Sequence, residues 1–506
     1  MSISTKEYTN KPAHFKSTNR SKKSFFYNWK NQALLISGLF LVSRIFFLFL
    51  GLRLTTNSSL ANTPGSGWWE VVDLGLLRNH LLSTIWYLNG QPPLFNLFYG
   101  LLVHFSISRA ITIATITYSI LGWIMALSMF FILKELKVPI GLAFGITTLF
   151  VLSPANILYE TWLFYTYPTA VFLTFGLLSL LKYLKEKSLL WGFGFFSSSV
   201  LVILLNSTFQ LIWLLVIAIP VVFAFRTDKK KVLKVAALPL LIVVIWYGKN
   251  FVLFGTTATS SWLGMNLGRI TLSQAPQGQI DSLVKDHKLS PLAKLGPFLP
   301  PSAYIPHFVK PHHYNIGVLN QLYKSDGEAN YNNPLYITLS SKYLKIDLHY
   351  IEMKPLTYAK DIFNALKLFF VPPDQYRFFV GNYNRIVNYA HFYDKAILWQ
   401  PHIHNPQIPI PLPRNQLSYK AILEFGLTLI GLPIVTWFRR KDIIWLSSAV
   451  FLWITMNYVM VVTSLLEIGE NNRFRFDLGP LPLIAAVVTI IGAVQLLKES
   501  KVVTKI

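Results

Sequence analysis

Two carboxylates, Glu70 and Asp73, and two guanidinium groups, Arg473 and Arg475, stand near opposite ends of a 506-residue chain, each pair beside an apolar stretch of membrane length. A carboxylate held at a bilayer surface can take the proton of a hydroxyl that attacks a lipid-borne substrate. Guanidinium groups suit phosphate because they stay charged and bond two oxygens at once. The arginines lie in EIGENNRFRFDLGP, so Glu467, Glu470 and Asp477 compete with any phosphate for them. Three further places pair polar residues with apolar runs. Glu160 stands between Tyr159 and Tyr165 in SPANILYETWLFYTYP, Lys249 and Asn250 end an apolar segment, and Gln91 precedes Pro92 and Pro93. Each also has a plain structural role open to it: Glu160 can hydrogen-bond its loop, Lys249 can snorkel, and an acid at a membrane edge can simply be solvated.

Metal and nucleotide chemistry find less support. Histidines occur at 307, 312, 313, 349, 391, 402 and 404, but His402 and His404 sit in a proline-rich loop with no acid beside them, and HExxH is absent. No metal site is assigned. Neither a P-loop nor GxGxxG occurs, which argues against nucleotide binding at motifs of those kinds.

The stretch that must position the first acids runs from Trp68 to Leu97. Leu74, Leu77, Leu81, Ile85 and Leu88 recur at helical spacing, with Asp73, His80, Thr84 and Tyr87 on another side. That pattern predicts a helix lying along the membrane interface. Pro92 and Pro93 end it and open a new apolar segment, since proline lacks an amide donor and suits a first helical turn.

With 53% hydrophobic and 13% charged residues, the chain reads as an all-α polytopic membrane protein. Lys and Arg total 46 against 22 Asp and Glu, but they gather in short loops between apolar segments, which fits positive-inside bias better than nucleic acid. Residues 1–32 read as a basic, disordered cytoplasmic tail. An N-terminal transmembrane module is expected over 33–250, with a first outer loop at 53–91. Residues 251–417, which hold no membrane-length apolar run, read as an extracytoplasmic domain. C-terminal transmembrane helices follow over 418–497 and a short cytoplasmic tail over 498–506. Apolar segments number about eleven. An odd number cannot leave both basic termini on one side, and the short segment 92–106 is the weakest crossing. Cysteine is absent, so disulfides and thiolate metal sites are excluded.

Four segments resemble elements of the GT-C glycosyltransferases of the protein O-mannosyltransferase-like kind, a group that includes bacterial enzymes modifying lipid A. QPPLFNL at 91–97 is similar to the family's HPPLYY element, with Gln91 in place of histidine. SPANILYETWLFYTYPTA at 153–170, WYGKNFVLFGTTATSSWLGMNL at 246–267 and ENNRFRFDLGPLP at 470–482 supply the others. The resemblance implies a GT-C-like bundle with its active site on the outer face of the plasma (inner) membrane. It also implies inverting transfer of a sugar from a polyprenyl-phosphate donor to a hydroxyl on a protein, lipid or polysaccharide. In that reading Asp73 or Glu70 is the catalytic acid, and the family's usual Asp-Glu pair is interrupted here by Leu74. Arg473, Arg475 and Lys249 face the donor phosphate, while Gln91, Glu160 and Asn250 contact sugar or acceptor. No cofactor is implied beyond the lipid-linked sugar, and the partners are that donor, the acceptor and membrane lipids. The competing class is a non-enzymatic transporter of lipid or glycan, or a protein that binds lipid-linked sugar without transferring it. A transporter would need polar or broken helices near the bilayer midplane.

Overall fold

The structure, a computed structural model, describes residues 28–55, 69–305, 307–399 and 417–503. Most of the basic N-terminal tail, His402 and His404 lie outside the described residues. Among those described there is no strand.

The chain opens with α1 (Trp29–Phe49), whose first turn is capped by the Asn28 side chain on the Lys30 N–H. The interfacial segment forms two short helices, α2 (Leu74–Asn79) and α3 (Leu81–Trp86), rather than one, because His80 leaves helical geometry between them. Pro93 begins α4 (Pro93–Leu102). Then come α5 (Ile107–Glu135) and α6 (Ile140–Leu152), which bends by 56° into α7 (Pro154–Glu160) where Ser153 caps and Pro154 occupies the first turn. Next are α8 (Thr166–Glu186), α9 (Leu189–Leu205), α10 (Leu211–Ala224) and α11 (Lys229–Phe254).

A cover of helices follows: α12 (Leu263–Ile270), α13 (Gln277–Lys285), α14 (Leu335–Met353), α15 (Pro355–Phe369), α16 (Val380–Arg385) and α17 (Val387–Tyr393). The chain closes with α18 (Tyr419–Arg439), α19 (Ile443–Leu466), the short α20 (Asn471–Phe476) and α21 (Leu481–Val503).

Among the described residues seven helices are long and apolar enough to cross a membrane: α1, α5, α8, α11, α18, α19 and α21. There are eight if bent α6–α7 is one span. The protein is an integral, multi-pass membrane protein. The remaining apolar segments read from the sequence are helical but short: α4, α9 and α10 have 10, 17 and 14 residues. Helices suit this setting because each closes its own backbone hydrogen bonds where no water can. The hub is α8, whose apolar window is 83% buried.

Helix ends gather at two poles. At the basic pole Lys134 donates to Gln32 at 2.8 Å, Lys185 pairs with Glu135 at 2.7 Å, and Arg439 donates to Gln495 at 2.7 Å. At the other pole Thr55 bonds the Thr161 carbonyl at 2.7 Å, and Asn206 donates to Asp477 at 2.9 Å. Helices α1, α5, α6–α7, α8, α9, α10, α11, α18, α19 and α21 run alternately between the poles, an even set. Helix α4 does not. Its Asn96 bonds Glu70 and Val72, and the carbonyl of Val103 at its far end accepts from Arg78 of α2 at 3.1 Å, so both ends stay at the second pole.

The cover has its own core of Trp262, Met265, Tyr304, Tyr331, Tyr336, Leu339 and Tyr343. Helices α12 and α14 cross closely enough that a Cβ at Gly264 would lie 1.9 Å from the Ser340 carbonyl oxygen, so only glycine fits there.

Candidate functional site

Where the cover meets the second pole, a cavity of about 1310 Å³ opens between bundle and cover. Its lining carries Glu70, Gln91, Arg269, Arg377, Glu467, Glu470 and Arg473. Leu211, Ile212, Leu263, Val462 and Leu466 also line it, as do Tyr247 and Tyr458, which bond Gln210 and the Thr208 carbonyl. Ile212 of α10 and Leu263 of α12 are themselves well exposed. Trp69, Phe164, Tyr165, Trp262, Phe298, Tyr376 and Phe378 form aromatic walls.

Glu70 is held in place by the amide of Asn96, a fully buried residue in the first turns of α4. Asn96 donates to the Glu70 carbonyl at 2.8 Å and accepts the Val72 N–H at 2.9 Å. One side chain thus satisfies both sides of a non-helical backbone that burial would otherwise leave unpaired. The next loop is fastened to the cover in the same manner. Asn332 accepts the N–H groups of Asn89 and Gly90 at 2.8 and 2.9 Å, and Ser260 donates to the Gly90 carbonyl at 2.6 Å. Gly90 is obligatory, because a Cβ there would meet the Trp262 indole nitrogen at 2.8 Å.

The charges form a network. Arg473 is 2% exposed, donates to Glu470 through Nε at 2.9 Å and Nη2 at 2.8 Å, reaches Thr166 at 3.1 Å, and stacks near Phe164, Tyr165 and Phe474. Arg377 pairs with the other oxygen of Glu470 at 3.2 Å, and Arg269 pairs with Glu467 at 2.7 Å. These surroundings push the acids in opposite directions. Burial would raise Glu470, but Arg473, Arg269 and Arg377 outweigh it and hold the group at about 2. Burial raises Glu467 to about 7 despite Arg269. Glu70 is also raised, by burial and then by repulsion from Glu470, with Arg473 opposing. A permanent anion and a carboxylate of raised proton affinity therefore share one cavity, the arrangement from which acid and base roles arise.

Of the residues singled out in the sequence, Glu70, Gln91 and Arg473 line the cavity. Asp73 does not. It caps α2 on the Leu76 N–H at 2.9 Å and accepts from Ser325 of the cover. Burial alone would raise its carboxyl, but the bonds from Ser325 and Leu76 lower it. The arginine pair is split, correcting the expectation of a two-residue clamp. Residues two apart on a helix point about 200° from one another. Arg475 accordingly turns away and donates to the Val371 carbonyl at 3.0 Å. Burial brings its guanidinium down to about 10 even with Glu424 nearby.

Lys249 donates to the Leu88 carbonyl at 2.7 Å and lies 3.7 Å from the Trp246 ring centroid, so it ties α11 to the loop before α4. Asn250 donates to the Ala258 carbonyl at 2.7 Å. Glu160 forms an ion pair with Arg44 and accepts from Tyr167 at 2.8 Å, which joins α1 to α7 and α8. These three shape the bundle rather than line the cavity. Sequence reasoning missed Arg269, Arg377 and Asn96. Asn96 left a signal, as a lone amide in an apolar helix; Arg269 lies in the short amphipathic α12 and Arg377 in a short turn. Lys324 was missed as well. It is buried beside Glu70 and Asp73, and its burial lowers it while the acids around it, Asp326 first, pull it back up. Among the described residues no group of three or more His, Asp or Glu is placed to hold a metal ion.

Comparison of the chain with protein-family models, with curated proteins and with solved structures gave no match.

Proposed function

We propose that this protein is a glycosyltransferase of the GT-C type, moving a sugar from a polyprenyl-phosphate donor to a hydroxyl acceptor with inversion. One observation carries the reading: the lining of a single cavity combines arginines and a carboxylate of raised proton affinity with apolar and aromatic side chains. That suits a ligand with an anionic head and a hydrocarbon tail. The resemblance of the four segments described above supports the same assignment.

In this mechanism the acceptor hydroxyl attacks the anomeric carbon from the face opposite the phosphate. The bond to the phosphate oxygen breaks, and the hydroxyl proton passes to Glu70. Glu70 takes the role of base rather than Asp73, because Glu70 lines the cavity while Asp73 is engaged by Ser325 and Leu76. Charge grows on the departing phosphate, and Arg473, with Arg269 and Arg377, stabilises it there. Fixed guanidinium groups act more strongly in a cavity walled by aromatic rings than in water.

The basic pole is the cytoplasmic side, since Lys and Arg concentrate there, and the cavity with its cover is extracytoplasmic. The helices that run pole to pole are the traverses. Segment 92–106 re-enters without crossing, which returns both termini to the cytoplasm. The acceptor reaches Glu70 from the cover side.

The test is transfer in vesicles. Purified protein with radiolabelled polyprenyl-phosphate sugars should move label from lipid to a membrane or cell-surface acceptor, and Glu70→Gln should stop it. A folded wild-type protein that binds the lipid-linked sugars but moves none of them would reduce the assignment to a binding protein.

A further inference from the structure

Resting on that reading, we infer that Glu470 is an internal competitor for the donor phosphate, and that Arg377 is the arm that exchanges Glu470 for it. Glu470 bridges two guanidinium groups with separate oxygens: Oε1 meets Arg377 at 3.2 Å, and Oε2 meets Arg473 at 2.9 and 2.8 Å. The phosphodiester of a polyprenyl-phosphate sugar offers its two unesterified oxygens to two arginines in the same manner. Glu470 also precedes α20 at the capping position, yet its side chain makes no capping bond and turns to the arginines instead.

The two arginines differ in freedom. Arg473 is 2% exposed and held by Glu470, Thr166 and three aromatic rings, so it cannot follow a ligand. The side chain of Arg377 is 53% exposed and rests on the Phe378 ring at 4.9 Å. Its backbone lies in the short turn Arg377–Phe379, and its bond to Glu470 is the longest of the set. Turning Arg377 from Glu470 to an incoming phosphate needs only a side-chain rotation at the cavity mouth.

The exchange gives selectivity. Arg269, Arg377 and Arg473 are matched in number by Glu70, Glu467 and Glu470. A neutral lipid head gains nothing by separating Arg377 from Glu470, whereas the lipid phosphate, an anion in the donor diester and a more highly charged one in the monoester that departs, replaces the carboxylate on the arginine. Glu470 thereby discriminates against polyprenols and sugar lipids that lack phosphate.

The measurement is equilibrium binding of a polyprenyl monophosphate, and of the matching polyprenol, to the purified protein in detergent micelles. Glu470→Gln should tighten the phosphate by about threefold to tenfold and leave the polyprenol unchanged. Arg377→Ala should weaken the phosphate, and the Glu470→Gln, Arg377→Ala double variant should lose most of the gain. Phosphate affinity unchanged or lowered in Glu470→Gln overturns the proposal, with circular dichroism and thermal melting showing that the variant is folded. A gain that persists in the double variant also overturns it, since removal of one negative charge would then suffice without the arm. Binding is read without turnover. Polyprenyl monophosphate is the leaving group of the proposed reaction, so wild-type protein that binds none of it fails the phosphate-site assignment itself, whereas binding that ignores Glu470 fails only this inference.

Discussion

Asp73 accepts hydrogen bonds from both the backbone N–H and the hydroxyl of Ser325, each at 2.5 Å, although 252 residues separate the two. With its second oxygen on the Leu76 N–H, the carboxylate fastens the cover to the loop that carries Glu70. The acid that looked most like a base by its place in the sequence is thus the latch between two parts of the fold.

That division of labour separates two variants. Glu70→Gln should lower the transfer rate by about 10²–10⁴-fold with little change in melting temperature. Asp73→Asn should lower thermal stability and reduce transfer less, and Ser325→Ala should resemble it. A double-mutant cycle between Asp73→Asn and Ser325→Ala should give a coupling of about 1–3 kcal/mol. Equal loss of transfer in Asp73→Asn and Glu70→Gln at unchanged stability would return the base role to Asp73.

Asn96 positions Glu70 without lining the cavity. Asn96→Ala leaves the Glu70 carbonyl and the Val72 N–H unpaired in a buried setting, at a cost of about 2–4 kcal/mol. Melting should show that loss, and kcat should fall more than donor affinity, because the donor phosphate contacts remain. Asn96→Asp should not rescue, since a carboxylate cannot donate to the Glu70 carbonyl.

The two arginines of the last loop should behave differently. Arg473→Lys keeps a charge but loses the planar stacking on Phe164, Tyr165 and Phe474 and the paired bonds to Glu470. Donor affinity should drop about tenfold or more. Arg475→Met should leave donor affinity intact and alter stability alone. If the two variants lost donor binding equally, the split of the pair would be refuted.

Glu467 sets a pH dependence of stability. Burial lifts it from 4.5 to about 7, so the folded protein holds this proton more tightly than the unfolded chain does. Stability from this group is complete below about 4.5, declines as pH rises through the interval to about 7, and is level above it. The slope is at most about 1.4 kcal/mol per pH unit for one proton. Glu467→Gln should flatten thermal stability across that interval, as followed by melting curves at constant ionic strength. An unaltered slope would assign the dependence to other buried acids, such as Asp477, which burial likewise raises to about 7.

Much of the architecture was legible because it follows from local periodicity. Each apolar segment read from the sequence became a helix, and Pro93 opened α4. The weakness of segment 92–106 as a crossing could be read from its length alone. The break at His80 was not legible, since the apolar spacing continues through it while the backbone turns.

The site divides along the same line. Sequence alone determined the inventory: acids after the first apolar segment, arginines before the last, and a chain apolar enough to place both at a membrane edge. Which carboxylate faces the cavity, which arginine of the pair turns inward, and that Arg269 and Arg377 join them were decided only by tertiary structure. Periodicity reports which face of a helix is apolar, but a loop carboxylate points wherever its nearest donors stand. Of those donors, Ser325 for Asp73 and Arg377 for Glu470 lie far along the chain from their acceptors.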